Sequence, residues 1–256
     1  AVDGCEYFVI ANMDVKFDPN WLSELVKAIE SDSEIGIAQS KILKYPKNDE
    51  EWKKPKINSL GNIVHFLGFG FTSGYNEVDN PPNPLKSPQP PLYKGGGEEY
   101  PEINGYASGC SFIVKKEVIG KIGGYNEEYY MYHDDLELGW KTRLAGYKII
   151  LAPESIVYHK YEFSRSVKML YYMERNRHLV IFTYYRLPTI ILILPALVIM
   201  DLGMLLYSII NGWFFTKLKI CFYFLNPVSW LKILKERKIL KKLRAKKDSE
   251  IIKDFS

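Results

Sequence analysis

The sequence predicts an α/β domain followed by helices that associate with a membrane. Near the start of the chain, two apolar strand-like stretches flank a segment of helical periodicity, and this β-α-β order is typical of α/β layered domains. From Leu187 to Thr216 the only formal charge is Asp201. Such a stretch is long enough for the ~20 residues that cross a bilayer. Residues 1–160 carry 17 Lys and Arg against 23 Asp and Glu, whereas residues 161–256 carry 17 against 7. We therefore expect the acidic and basic parts to meet different surroundings.

The composition excludes several protein classes. The 256 residues are 47% hydrophobic and 25% charged, which is typical of a globular protein and excludes a disordered chain, a collagen or a disulfide scaffold. The three cysteines are odd in number and far apart, so neither a disulfide framework nor a CxxC metal site is expected. This usage predicts a reducing compartment.

The first third of the chain predicts two strands and a helix. EYFVIANMDV begins as an apolar run and ends in Asn12 and Asp14, which indicates a buried strand with polar groups at its C-terminal end. In DPNWLSELVKAIES, Asp18 is suited to cap a helix and Pro19 to its first position. IGIAQSKIL predicts the second strand.

The middle of the chain is interrupted and then becomes regular again. Residues 76–103 hold half of the prolines and three consecutive glycines, so no regular element is expected there. Beyond them SFIVKK predicts a strand, EVIGKI a short helix, and DDLELGWKTRLAGY a helix that ends at Gly146. YKIILAP and SIVYH predict two further strands. A connecting helix is expected over 166–186, membrane-associated apolar segments over 187–226, and a basic amphipathic helix and tail over 227–256.

Three groups of residues are candidates for chemistry, and each has a structural alternative. Asp14 follows a strand, where open α/β sheets bind ligands, although an aspartate there also forms turns. His133, Asp134 and Asp135 precede a helix, where acids also complement the helix dipole. Because adjacent aspartates cannot share one orientation, one can cap the helix while the other faces a cleft. His159 ends a strand, and such a histidine is often a plain surface residue.

Taken together, the motifs resemble those of family 2 nucleotide-sugar glycosyltransferases, in the branch that includes rhamnosyl- and galactofuranosyl-transferase-like enzymes. The order and approximate spacing match in NMDVKFDPNWL, GYASGCSFIVKKEV, GGYNEEYYMYHDDLELGWKTRLAGY, APESIVYHKYEFS and ERNRHLVIF. The resemblance covers roughly residues 1–186 and is strongest over 104–160. It implies a GT-A-like three-layer domain over residues 1–165.

The resemblance also implies roles for individual residues. Asn12-Met13-Asp14 matches the family's DxD-type motif, with Asn12 departing from it, so Asp14 would bind the metal, Mg²⁺ or Mn²⁺, that holds the donor diphosphate. Asp134-Asp135 matches the Glu-Asp pair whose second residue is the general base, and His159 matches a histidine that completes the metal site in some members. The small-residue turn beside the acceptor corresponds to Gly109, Cys110 and Ser111, and the helix after the base to Trp140 and Arg143. In ERNR, Arg175 and Arg177 are expected to contact the donor phosphates. Contact with lipid headgroups is an equal alternative for these two residues.

These roles predict an inverting, metal-dependent glycosyltransferase. It would take a nucleotide-sugar donor and a lipid-linked or surface glycan acceptor, at the cytoplasmic face of a membrane and with no nucleic-acid partner. Family members begin with βα units that bind the nucleotide and would lie upstream of Ala1, so truncation at the N-terminus is expected. Two alternatives stay open: a non-catalytic membrane-bound remnant or partner subunit, and a metal-dependent nucleotide hydrolase or nucleotidyltransferase.

The apolar segment predicts membrane association, with a buried core helix as the alternative. Basic residues flank it on both sides, and by the positive-inside tendency both ends favour the cytoplasm, which a single crossing cannot satisfy. Pro195 and Asp201 interrupt the run, and CFYFLNPVSWL follows it. We therefore expect a helical hairpin or an arrangement in the membrane plane, with the lysines of the C-terminal segment on anionic headgroups.

Overall fold

A mixed six-stranded sheet forms the centre of the first part of the chain. The computed structural model describes residues 4–79, 100–160 and 166–252, so most of the proline-rich segment predicted over 76–103 lies outside them. The strands are β1 (Tyr7–Ala11), β2 (Val15–Phe17), β3 (Ile35–Lys44), β4 (Ile57–Ser59), β7 (Ser111–Lys115) and β8 (Lys148–His159). Their order is β1-β7-β3-β8-β2, and β4 pairs with β3. Only β3 and β8 run parallel; the other pairs are antiparallel. A separate hairpin consists of β5 (Asn62–Val64) and β6 (Gly70–Thr72).

Helices cover both faces of this sheet. On one face α1 (Trp21–Glu30) buries Leu25, Ala28 and Ile29 against β3, β7 and β8. On the other face lie α3 (Lys116–Ile122) and α4 (Asp134–Leu144). Neighbouring residues of β7 divide between the two faces, since Ile113 packs toward α1 and Phe112 toward α3 and α4. The α/β layered domain that the sequence predicts is therefore present, with three layers. The short helix α2 (Asp49–Lys53) lies outside them.

Three predictions about local structure need correction. Helix α1 begins at Trp21 with Asn20 as its N-cap, because Asp18 instead accepts a hydrogen bond from the Asn20 N–H in the preceding turn. The strands predicted over YKIILAP and SIVYH are the single strand β8, in which residues 153–155 bulge out of register with β3 and so bypass the proline. Strand β1 is not buried: it pairs only with β7 among the described residues, and Val9 is 42% exposed.

The connecting helix predicted over 166–186 is a core helix rather than a surface connector. It is α5 (Val167–Tyr184), and Ser166 caps its first turn by accepting from the Met169 N–H. Its last two turns are almost entirely buried, with Leu179, Val180 and Ile181 in the main apolar cluster. This helix joins the sheet domain to the helices that follow.

The last part of the chain is helical and largely apolar on its surface. It consists of α6 (Leu187–Ile210), α7 (Phe214–Leu225), α8 (Pro227–Leu243) and α9 (Asp248–Ile252). By length and composition, α6 is the one helix in the described part of the chain that could cross a membrane. Only 11% of its most apolar window is buried, so α6 is not the buried core helix considered as an alternative.

Candidate active site

The candidate metal residues meet because two strand ends are neighbours in the sheet. Strand β2 pairs with the end of β8 so that Val15 lies opposite His159, which brings the preceding Asp14 alongside. His159 Nε2 lies 3.3 Å from Asp14 Oδ1. The imidazole is buried, whereas the Asp14 side chain is 51% exposed. The pair therefore presents a nitrogen and an oxygen at the surface end of the sheet.

Asn58 orients the histidine from the opposite side. His159 Nδ1 lies 3.1 Å from Asn58 Oδ1 on β4. In the tautomer that donates from Nδ1 to Asn58, the lone pair of Nε2 faces the Asp14 carboxylate. The imidazole nitrogen and the carboxylate oxygen are then two Lewis bases directed at the same point. Burial lowers the pKa of His159, although Asp14 opposes this shift, so desolvation works against the protonated form. An imidazole and a carboxylate arranged in this way fit a divalent cation such as Mn²⁺ or Mg²⁺.

A second carboxylate, Asp135, is held at the start of α4 by two hydrogen bonds. The Gly109 N–H donates to Oδ2 at 2.7 Å, and the Tyr125 hydroxyl donates to Oδ1 at 2.9 Å. A Cβ on Gly109 would lie 2.6 Å from Oδ1, so only glycine permits this approach. Burial raises the pKa of Asp135 to about 7, the neighbouring Asp134 carboxylate adds to the rise, and both hydrogen bonds oppose it.

The turn over residues 108–110 joins the two carboxylate sites. The Asn12 N–H donates to the Cys110 carbonyl oxygen at 3.1 Å, and the adjacent Gly109 binds Asp135. Burial raises the pKa of the Cys110 thiol to about 12, with smaller contributions from the Asp14 and Asp135 carboxylates. Both carboxylates are therefore close enough to act on one thiol. We call the region around this turn, from Asp14 to Asp135, the candidate cleft.

A strained loop sets the position of Asp135. Three non-glycine residues just before α4 have positive φ angles: Tyr130 (58°), Tyr132 (61°) and His133 (61°). Such conformations cost on the order of 1–3 kcal/mol each and persist only where surrounding contacts hold them. Asn176 on α5 provides those contacts, because its Nδ2 lies 2.7–2.9 Å from the carbonyl oxygens of Tyr129, Met131 and Tyr132.

Arg175 and Arg177 do not reach the cleft, which corrects their expected role in binding the donor or lipid headgroups. Arg175 donates to the Glu128 and Tyr129 carbonyl oxygens and so holds the same strained loop. Arg177 is fully buried and pairs with Glu174 on its own helix and with Asp201 on α6. The ERNR segment therefore holds the loop before Asp135 and binds α6 to α5.

Several side chains that were expected to contact the acceptor are instead buried in the protein. Trp140 is 2% exposed and stacks on Tyr185 at a ring-centroid distance of 5.0 Å, so it belongs to the core and not to the cleft. The Ser111 hydroxyl is fully buried and bonded to that of Ser40 at 2.8 Å. Cys110 is 3% exposed. Within the predicted turn, Gly109 contacts the candidate base Asp135 through its backbone N–H.

The sequence did not point to Tyr125, Asn58 or a lysine-rich recess beside His159. Tyr125 follows the Gly123-Gly124 break and has no periodic signal, and Asn58 lies on a three-residue strand. The recess has a volume of about 330 Å³, and among its lining residues are Lys44, Lys47, Lys56 and Lys160. Its positive charge suits a phosphate-bearing ligand next to the Asp14–His159 pair.

A cluster of Glu174, His178 and Asp201 lies apart from this cleft. Their candidate ligand atoms lie within 4.8 Å of one another, a spacing that would suit a metal. However, Arg177 and Lys217 already pair with both carboxylates, and His178 Nε2 lies 2.9 Å from Asp201 Oδ2. Two fixed cations would repel a third. This cluster is an ion-pair network that binds α6 and α7 to α5.

Comparisons with known proteins agree with the motifs. The chain is 24% identical over 155 residues to N-acetylglucosaminyl-diphospho-decaprenol L-rhamnosyltransferase of Mycobacterium tuberculosis, which covers 60% of this chain and 47% of that protein. It is 24% identical over 161 residues to the O-antigen biosynthesis protein RfbC of Myxococcus xanthus, covering 62% of this chain and 11% of that protein. The chain resembles glycosyltransferases. The resemblance predicted from the motifs is thereby confirmed.

The remaining comparisons add little to this glycosyltransferase resemblance. No protein-family model matches the chain. A structural neighbour described as "Crystal structure of GalNAc-T7 with UDP, GalNAc and Mn2+" has a TM-score of 0.49 and 17% identity, covering 71% of this chain and 32% of that chain. That likeness is too low to support an argument. The chain spans about half or less of the length of the two named curated relatives.

Proposed function

We propose that the chain carries catalytic residues of an inverting, metal-dependent glycosyltransferase with a GT-A type domain. The observation that supports this most directly is the turn over residues 108–110, which binds Asp135 through the Gly109 N–H and the strand end before Asp14 through the Cys110 carbonyl oxygen. A sugar transfer needs one group that stabilises the leaving diphosphate and another that removes the proton of the acceptor hydroxyl. The two sides of the cleft supply these two groups.

Asp14 and His159 would hold a divalent cation at the donor side. When bound, that cation neutralises the charge that develops on the diphosphate as the anomeric bond breaks. Asn58 fixes the imidazole so that Nε2 faces the cation position. The lysines of the adjacent recess would contact the donor phosphates, which is the part we had expected from Arg175 and Arg177.

Asp135 would act as the general base. Its pKa of about 7 keeps much of the group ionised near neutral pH while leaving it basic enough to accept a proton from a hydroxyl. The Gly109 N–H and the Tyr125 hydroxyl orient the carboxylate. Attack by the deprotonating acceptor on the face opposite the diphosphate inverts the anomeric carbon.

A transfer assay with the full chain tests the proposal. The chain would be incubated with Mn²⁺, a panel of nucleotide-diphospho-sugars and a polyprenyl-diphosphate-linked acceptor, and the products identified by mass spectrometry. Transfer that is lost in Asp135→Asn and retained in Asp134→Asn would support Asp135 as the base. Tight binding of Mn²⁺ and nucleoside diphosphate without any transfer would favour a non-catalytic partner subunit.

We also propose that the acceptor is lipid-linked and that the helical part lies in the plane of a membrane at its cytoplasmic face. One stripe of α6, with Ile193, Leu197 and Asp201, packs on the rest of the protein, while Leu192, Ile199 and others are largely exposed. A helix held along its length in this way favours lying on the bilayer over crossing it. Labelling of intact cells that carry a cysteine at position 187 or at position 210 tests this. If a reagent added outside the cell reacts at one of the two positions and not at the other, α6 crosses the membrane once.

A further inference from the structure

A pocket between the end of α5, the start of α6 and the middle of α8 is separate from the catalytic cleft. We call it the α8 pocket, and its volume is about 710 Å³. Its lining combines five basic side chains with three leucines and Thr183. The basic residues are Arg186, Arg237, Lys238, Lys241 and Arg244. Among the described residues, no carboxylate lines the pocket.

The basic side chains of the α8 pocket fall into two groups. Arg237 donates to the carbonyl oxygens of Phe182 and Tyr185, and Arg244 bonds the Tyr184 carbonyl oxygen and Asp248, so these two guanidinium groups complete the end of α5. In the part of the chain that the structure describes, Lys238 and Lys241 have no ion pair or side-chain hydrogen bond, and both are exposed. Because Asp248 already pairs with Arg244 and no acid is among the described lining residues, the pocket keeps an excess of positive charge.

The mouth of the α8 pocket is apolar. Leu187 is 63% exposed and Leu234 is 57% exposed. They continue the exposed apolar surface of α6 and α8, to which Ile191 and Leu231 also contribute. A ligand that fills this site would therefore have an anionic head and an apolar chain that leaves along the leucines.

We propose that the α8 pocket binds the phosphate headgroup of an anionic bilayer phospholipid. The ammonium groups of Lys238 and Lys241 would donate charge-assisted hydrogen bonds to the phosphate oxygens, while the acyl chains lie on Leu187 and Leu234. A soluble phosphate ester accounts for the cations but not for the leucines at the mouth. This inference rests on the proposed membrane association and not on sugar transfer.

Vesicle binding by the full chain tests the assignment. Two double variants remove the same charge from the same helix: Lys238→Gln with Lys241→Gln inside the pocket, and Lys235→Gln with Lys242→Gln outside it. Each protein would be sedimented with vesicles of phosphatidylcholine, with and without phosphatidylglycerol. Because hydrogen bonds to charged groups are worth more than diffuse attraction, we expect the pocket pair to lose at least about tenfold more affinity for the anionic vesicles than the outside pair. Thermal unfolding would check that both variants fold.

Equal losses in the two double variants would overturn the proposal, because a diffuse attraction depends only on net charge. It would also be overturned if the pocket pair lost binding to inorganic phosphate in calorimetry while vesicle binding stayed unchanged. Titration with Mn²⁺ and a panel of nucleoside diphosphates distinguishes the lipid proposal from the catalytic proposal. Both lysine double variants should leave this binding unchanged, whereas a failure of the wild-type chain to bind Mn²⁺ with any of the nucleoside diphosphates would count against the catalytic proposal alone.

Discussion

Replacement of Asp135 by asparagine should stabilise the folded chain and abolish sugar transfer at the same time. The asparagine has nearly the same shape, so its oxygen can accept from the Gly109 N–H while its amide donates to the Tyr125 hydroxyl oxygen. The variant therefore keeps both contacts but removes a desolvated negative charge. A catalytic group that is kept desolvated lowers the stability of the fold, so its removal should raise stability while it lowers activity.

The size of the stability gain follows from the pKa of Asp135. A rise from 3.8 to about 7 is roughly three units, or ~4 kcal/mol at about 1.4 kcal/mol per unit. Part of this rise comes from the neighbouring Asp134, so we expect a gain of about 2 kcal/mol in the free energy of unfolding. The sign depends on pH. The native state keeps the proton to about pH 7 and the unfolded chain releases it near 3.8, so wild-type stability falls as pH rises between these values.

Urea unfolding followed by circular dichroism would measure this difference. Wild type and Asp135→Asn should agree below about pH 4 and differ fully above about pH 7. The transfer rate should fall by ~10²- to 10⁴-fold, the amount expected for general base catalysis. A variant that is no more stable than wild type at about pH 8 would show that the carboxylate is not desolvated, and a rate above about a tenth of wild type would remove it from the base role.

Three further changes test other parts of the site. Asp14→Ala and His159→Ala should each weaken Mn²⁺ binding in the presence of a nucleoside diphosphate by at least about tenfold, and unchanged affinity in calorimetry would make the residue structural. Gly109→Ala should lower the transfer rate without changing Mn²⁺ affinity, because the added Cβ displaces the Asp135 carboxylate. Asn176→Ala should cost about 2 kcal/mol of stability, measured by urea unfolding, since it leaves loop carbonyl groups without their buried donor.

The elements that the sequence predicted well are those whose pattern is local. The alternation in SFIVKK and the helical spacing before Gly146 correspond to β7 and α4 as the structure has them. The prediction failed where a distant partner decides the outcome. Pro153 indicated a break between two strands, but β3 pairs with both halves and accommodates the proline in a bulge.

The motifs named Asp14, His159 and Asp135 as candidates, and the structure places Asp14 beside His159 and holds Asp135 against Gly109. They could not reveal Asn58, because it contacts His159 from a strand far away in the sequence, and they gave no signal for Tyr125, which lies in an irregular segment close before Asp135. The same limit explains the error at ERNR. An arginine in a basic segment of a phosphate-binding protein suggests a phosphate contact, yet only the fold shows that carbonyl oxygens and carboxylates already occupy Arg175 and Arg177.

The contacts of Asp201 change the interpretation of the apolar helix α6. In the sequence it was an interruption of a membrane-crossing candidate; in the structure it lies 2.5 Å from Arg177 and 2.9 Å from His178 on α5. Because Arg177 also donates to the Leu67 carbonyl oxygen, α6 is tied through α5 to the domain that carries the catalytic cleft. Drawing α6 away across a bilayer would leave Arg177 and Glu174 with an incomplete ion-pair network, at a cost of several kcal/mol. The network thus favours a helix that stays on the domain and leaves its other faces exposed, as the proposed arrangement in the membrane plane requires.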